Sequence, residues 1–140
     1  MNVLKDIGAN IIDLRCHWCE DAVETINHLF FYCDNAQFIW LRVGLWWKIV
    51  IPLFHNLSDM WTWIDNISNS TRHKNHLKVM VAASLKALWD ARNDKVYKKV
   101  NKPKEAIYKS AQEMAFNWLS SRDSKFGFDR LTWFRNPYGN

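Results

Sequence analysis

The sequence predicts a mainly α-helical chain: a small hairpin-and-helix module near the N-terminus, followed by a helical bundle. Three observations carry this expectation. Only four Gly and three Pro occur in 140 residues, too few to supply the tight turns of a β-rich fold. Apolar residues recur at spacings of three and four in several stretches, which is the period of a buried helical face. All three cysteines fall between Cys16 and Cys33, with His28 among them, so any cross-link they make is local. A hydrophobic content of 49% with nine Trp argues for a folded chain, and the length suits a single core.

The cysteine stretch reads C-x2-C-x8-H-x4-C, through Cys16, Cys19, His28 and Cys33. A Cys-x-x-Cys hairpin aims two sulfurs at one centre, and a His and a Cys five apart close the site from the start of a following helix. Three thiolates and one imidazole complete a tetrahedral shell for Zn²⁺, and a closed shell points to a structural metal. The fold is therefore expected to begin with a zinc-anchored Cys3His hairpin and helix. The alternative is three buried free cysteines beside a surface histidine, against which the clustering itself argues. Spacing alone leaves His17 as a rival ligand, although between Cys16 and Cys19 it is expected to point outward.

The same stretch resembles the zinc-binding domain of reverse transcriptases, found C-terminal to the polymerase in plant non-LTR (LINE-type) retrotransposons. The resemblance rests on the four ligand positions, on His28-Leu29-Phe30-Phe31-Tyr32-Cys33, on Trp40, and on the acidic Glu20, Asp21 and Glu24. His17 departs from it, standing where the family usually has Pro. Downstream, Leu88-Trp89-Asp90-Ala91-Arg92-Asn93 resembles the family's W-x-x-R-N segment. The resemblance implies that His28 is the nitrogen ligand, that RNA or DNA is the partner, and that the setting is nuclear. It also implies a helical block and a polymerase upstream, so that the chain reads as a C-terminal fragment.

In chain order, Val3, Leu4 and Ile7 suit a short helix, and Ile11-Ile12 an extended lead-in. Residues 24–32 are expected to be helical, with Leu29 and Phe30 inward. Asp34 or Asn35 can cap a helix reaching Trp47, with Ala36, Ile39, Trp40 and Val43 on its buried face. The apolar run after it ends at Pro52. Ser58 is the expected cap of a helix over 59–67 that buries Met60, Trp63, Ile64 and Ile67. The strongest pattern covers 72–93, where Leu77, Val81, Leu85, Leu88 and Trp89 share a face opposite Lys74, Lys78 and Lys86, with Arg92 and Asn93 ending the helix. Pro103 opens a last helix over 104–120 with Ile107, Ala111, Met114, Trp118 and Leu119 buried. The expected zinc-binding helical domain is 1–121, its metal module 14–47. Residues 122–140 form an aromatic and basic tail, ordered only if its aromatics dock. Most tryptophans fall on helical stripes and belong to the core. Trp46, Trp47 and Trp61 lie off them and offer a contact surface for a partner domain.

Charge is uneven. Residues 1–60 hold four Lys/Arg against seven Asp/Glu, net −3, while 61–140 hold fifteen against seven, net +8. A nucleic-acid footprint therefore belongs in the C-terminal half. Lys95, Lys98, Lys99, Lys102, Lys104 and Lys109 face only Glu105 within their window. They suit phosphate contact, with Tyr97 or Tyr108 to stack on a base, and suit a solvated linker equally. Arg72, His73, Lys74, His76 and Lys78 form a second basic group, expected to be a solvated helix face. No Gly-rich phosphate loop, H-E-x-x-H or Asp-Asp pair is present, so the chain is expected to be non-catalytic by itself. A purely structural or protein-interaction role is the rival to nucleic-acid binding. The N-terminus lacks a basic segment followed by an apolar core, which points to an intracellular, thiol-reducing location. The most apolar run, 38–54, is interrupted by Arg42, Lys48 and Pro52, so no membrane span is expected.

Overall fold

The computed structural model of the chain describes residues 15–137 apart from 17, 20–22 and 69. The lead-in expected over 3–12 and the orientation of His17 lie outside the described residues. The elements are a π-helical turn His28–Tyr32 and five α-helices: α1 Asp34–Trp47, α2 Leu57–Asn66, α3 Thr71–Tyr97, α4 Lys104–Arg122 and α5 Arg130–Arg135. The described part is thus mainly helical, with a Cys3His cluster at its start. No helix among these residues is long and apolar enough to cross a membrane.

The long helices α3 and α4 form the central pair, made antiparallel by the short connection between them. Their contact is built largely on alanine: Ala83, Ala87 and Ala91 on α3 and Ala111 and Ala115 on α4 are buried. Small side chains let helix axes approach, while Leu77, Met80, Leu88, Ile107 and Leu119 fill the flanks. The opposite face of α3 carries Trp89, which is 45% exposed. The expected leucine-and-tryptophan face is therefore rotated towards the alanines. Helix α3 also runs past Asn93 to Tyr97, so neither Arg92 nor Asn93 ends it.

Pro103 precedes α4 as expected, whereas α1 and α2 start at residues other than the expected caps Asp34 or Asn35 and Ser58. Cys33 is the residue before α1. The Asn56 side chain accepts from the amide of Asp59 at α2, and that of Ser70 from the amide of His73 at α3. Helix α1 ends at Trp47, as expected, and Lys48 caps it. Lys48 adopts a left-handed backbone with φ 66°, and the Ile49 amide returns to the Gly44 carbonyl at 2.9 Å, a helix-terminating arrangement. Gly44 is required there, because a Cβ would sit 2.8 Å from the Ile49 carbonyl oxygen.

The aromatic tail docks. Trp133 on α5 is fully buried, and Trp46 and Trp47 meet it edge-on, at ring centroids of 4.9 and 5.8 Å. The Trp46 indole N–H donates to the Trp133 carbonyl at 2.9 Å, and the Trp133 indole donates to the Gln112 carbonyl at 3.1 Å. Each buried indole thus has an acceptor. Trp46 and Trp47 are core residues, not the exposed contact surface anticipated for them. Trp61 is half-buried, with the Lys78 ammonium 5.6 Å over its ring. The basic group on α3 is likewise not simply solvated: His76 is only 2% exposed.

Candidate metal centre

The site is assembled from a hairpin, a turn and a helix start. An isolated antiparallel bridge between Arg15 and Val23 closes the hairpin around Cys16 and Cys19. Thr25 then starts the turn: its hydroxyl accepts from the His28 amide at 3.0 Å, and its carbonyl from the Leu29 amide at 2.9 Å. The π-helical winding buries His28, Leu29 and Phe31. Phe30, expected inward, is half-buried, because the wider turn shifts the inward face by one residue. Cys33 follows in extended conformation and leads directly into α1. The hydrogen bond from Trp40 Nε1 to the Phe30 carbonyl, at 2.8 Å, ties the turn to α1.

The ligand atoms of Cys16, Cys19, His28 and Cys33 all lie within 4.8 Å of one another. Cys16 Sγ and Cys33 Sγ are 3.8 Å apart, and Cys19 Sγ is 3.3 Å from His28 Nε2. Zinc–sulfur bonds of about 2.3 Å in tetrahedral geometry separate two sulfurs by about 3.8 Å, and a sulfur from a nitrogen by about 3.6 Å. Cys16, His28 and Cys33 are buried and Cys19 half-buried, so the site is sheltered from solvent. Burial pushes the Cys33 thiol up to about 12, with the neighbouring Cys16 adding to it and the Asn35 amide opposing it. The neutral Cys33 thiol is thus favoured until a cation joins it, and a divalent cation inverts that preference. The amide of Trp18 lies 3.4 Å from Cys16 Sγ, poised to donate to a thiolate. The donor set and its spacing fit a zinc site. Zinc held there would supply a cross-link through four protein ligands.

Residues 2–40 match the family model for zinc-binding in reverse transcriptase. This segment is similar to the zinc-binding domain of reverse transcriptases. No curated protein and no solved structure matches the chain. The part of the zinc-binding segment before residue 15 lies outside the described residues, while the ligand-bearing part is the site just built.

A salt bridge fastens the zinc-binding segment to the bundle. Arg92 on α3 donates from Nε and Nη2 to Glu24 Oε1 at 3.1 and 2.6 Å, with the two side chains only 11% and 14% exposed. The Arg92 guanidinium also lies 5.5 Å over the Trp89 ring and donates to Asn93 Oδ1 at 3.0 Å. The acidic position before His28 and the Trp-x-x-Arg-Asn segment, which sequence reasoning treated separately, are partners.

The six lysines are not gathered at one point. Lys95 is half-buried in the last turn of α3, and Lys99 sits in the connection with φ 58°. Lys98 and Lys102 both lie 3.6 Å from Asp94 carboxylate oxygens. Asp94 lies just before the lysine window, so counting within that window missed it. Lys104 stands 5.6 Å over the Phe38 ring, and Lys109 opens onto a groove beside Arg42 and Arg135. Tyr97 is 74% exposed, whereas Tyr108 is buried and its hydroxyl accepts from Gln112.

Proposed function

We propose that the chain is a zinc-stabilised, nucleic-acid-binding accessory module of a reverse transcriptase. Cys16, Cys19, His28 and Cys33 hold one structural Zn²⁺, and the module does no chemistry of its own. The observation that carries this reading is the convergence of those four ligand atoms within 4.8 Å, inside a segment that matches a zinc-binding family. Zinc fixes the hairpin, the π-helical turn and the start of α1. The bundle then presents its excess cations, with Lys95, Lys98, Lys99, Lys102, Lys104 and Lys109 meeting phosphates without strong sequence choice. The module would hold template RNA or target DNA near an upstream polymerase, in an intracellular, nuclear setting as in LINE-type elements of plants. The net charge of +8 over residues 61–140 supports this reading. Salt-sensitive binding to single-stranded RNA, lost when Lys98, Lys99 and Lys102 are all changed to Glu, is the expected result. Binding that survives that change at low salt would remove the lysines from the interface.

A second reading is a protein-interaction module. It is favoured by exposed Leu41, Leu45, Val50 and Leu53, each more than half exposed, along and just after α1. Self-association or partner binding that is insensitive to salt would favour it over nucleic-acid binding.

A further inference from the structure

A groove of about 570 Å³ opens between α1, α4 and α5. Buried Trp46, Tyr108 and Gln112 form its floor, and its rim carries Arg42, Lys109, Arg130 and Arg135 against Glu113. Two of the cations are held in place. Arg42 pairs with Glu105 and lies 4.5 Å from the Tyr108 ring centroid. Arg130 pairs with Glu113 and lies 5.1 Å from that of Phe134. Lys109 and Arg135 are exposed and make no ion pair with any described residue. Between these charges the wall is apolar, with Leu45 62% exposed and Phe134 half-buried.

We propose that this groove takes one nucleotide of a single-stranded nucleic acid, its phosphate between Lys109 and Arg135 and its base against Leu45 and Phe134. The proposal rests on the nucleic-acid reading above and moves the centre of recognition from the lysine-rich connection to this groove. Two uncompensated cations beside an apolar wall match a ligand that is anionic at one end and flat and apolar at the other. A carboxylate side chain would satisfy the charges and leave the wall bare. A base paired within a duplex cannot enter the groove, so single strands are preferred. Because the two arginines are already oriented by carboxylates and aromatic rings, little side-chain freedom is lost when a strand docks beside them. Lys109 was visible in the sequence as one lysine of a run. Arg42, Arg130 and Arg135 were not, because Arg42 lies on α1 and the other two on α5, and they meet Lys109 only through the docking of α5.

The test is fluorescence anisotropy of the zinc-loaded full chain with a fluorescein-labelled oligouridylate, over a series of salt concentrations. Lys109→Gln with Arg135→Gln is expected to weaken binding about tenfold or more and to flatten the log–log salt slope by about 0.7, the effect of one lost single-strand phosphate contact. Lys86→Gln with Lys125→Gln removes equal charge from exposed positions outside the groove and should leave both quantities near the parent values. An oligouridylate carrying 4-thiouridine should photocrosslink to the peptide containing Phe134. Equal losses in the two variants would overturn the proposal, as would crosslinking confined to residues 95–104, preference for a duplex, or equal competition by an oligoglutamate. A parent chain that binds nothing would sink the nucleic-acid reading with it. Binding that is lost on changing Lys98, Lys99 and Lys102 but untouched by the groove variant would sink the groove alone.

Discussion

Replacing Arg92 with Ala should loosen the zinc-binding segment from the bundle at a cost that the structure allows to be gauged. The change removes two charge-assisted hydrogen bonds, of 2.6 and 3.1 Å, from Glu24 Oε1. Glu24 is 14% exposed, and its other carboxylate oxygen is buried without a hydrogen-bond partner among the described residues. The carboxylate would therefore be left largely desolvated with no compensating cation. Breaking such a pair from one side costs about 3–5 kcal/mol, and the rim exposure here argues for the lower end, about 3 kcal/mol. Urea unfolding of the zinc-loaded protein, followed by circular dichroism, measures it. Glu24→Gln should cost less, because a neutral amide tolerates burial better than a lone carboxylate. In the double variant Glu24→Gln with Arg92→Ala the unpaired charge is gone, so the two losses should fall short of additive by about 2 kcal/mol. Arg92→Lys should behave almost as badly as Ala, since an ammonium cannot reproduce the two-pronged contact or the stacking on Trp89. A loss below about 1 kcal/mol for Arg92→Ala, the range of exposed ion pairs, would refute the claim that this contact fastens the two parts together.

Gly44→Ala places a methyl 2.8 Å from the Ile49 carbonyl oxygen. It should destabilise by about 1–3 kcal/mol, the range of overpacked sites, whereas Lys48→Gly relieves the left-handed backbone and should stabilise by up to about 1 kcal/mol; thermal melts give both signs. Burial lowers the affinity of His76 for a proton, and nearby Arg72 adds to this, more than the hydrogen bond to Asp123 restores it. The unfolded chain therefore binds that proton first, so stability is intact above about pH 6.5 and falls as pH drops below it. His76→Gln should flatten that fall relative to the parent at saturating zinc, and an unchanged slope would remove His76 from the account.

The legible parts of the sequence were the local ones. The metal cluster depends on eighteen consecutive residues, 16–33, and its spacing places all four donors before any tertiary contact forms. The helices α1 to α4 were legible because each carries an apolar stripe or a proline boundary. What depended on distant partners was not. The face of α3 that packs is marked by alanines, whose small size matters only once α4 lies against them, so Trp89 looked more buried than it is. Trp46 and Trp47 seemed to lie off the helical stripes because their counterpart, Trp133, sits in a stretch with no period, on a helix of only six residues. Once Trp133 docks, it supplies edge contacts to both indoles and a carbonyl acceptor to Trp46. The partnership of Glu24 with Arg92 spans 68 positions, and sequence patterning carries no signal at that range.

A zinc ion is proposed to organise the N-terminal part of this chain. Elemental analysis of the purified protein, combined with circular dichroism before and after a strong chelator, addresses it most directly. One Zn²⁺ per chain is expected, for the single four-ligand cluster among the described residues. Helix should be lost on chelation, because binding free energy on the order of 10 kcal/mol in small zinc modules is largely folding free energy. A protein that carries no metal and keeps its full helical signal in chelator would contradict that proposal.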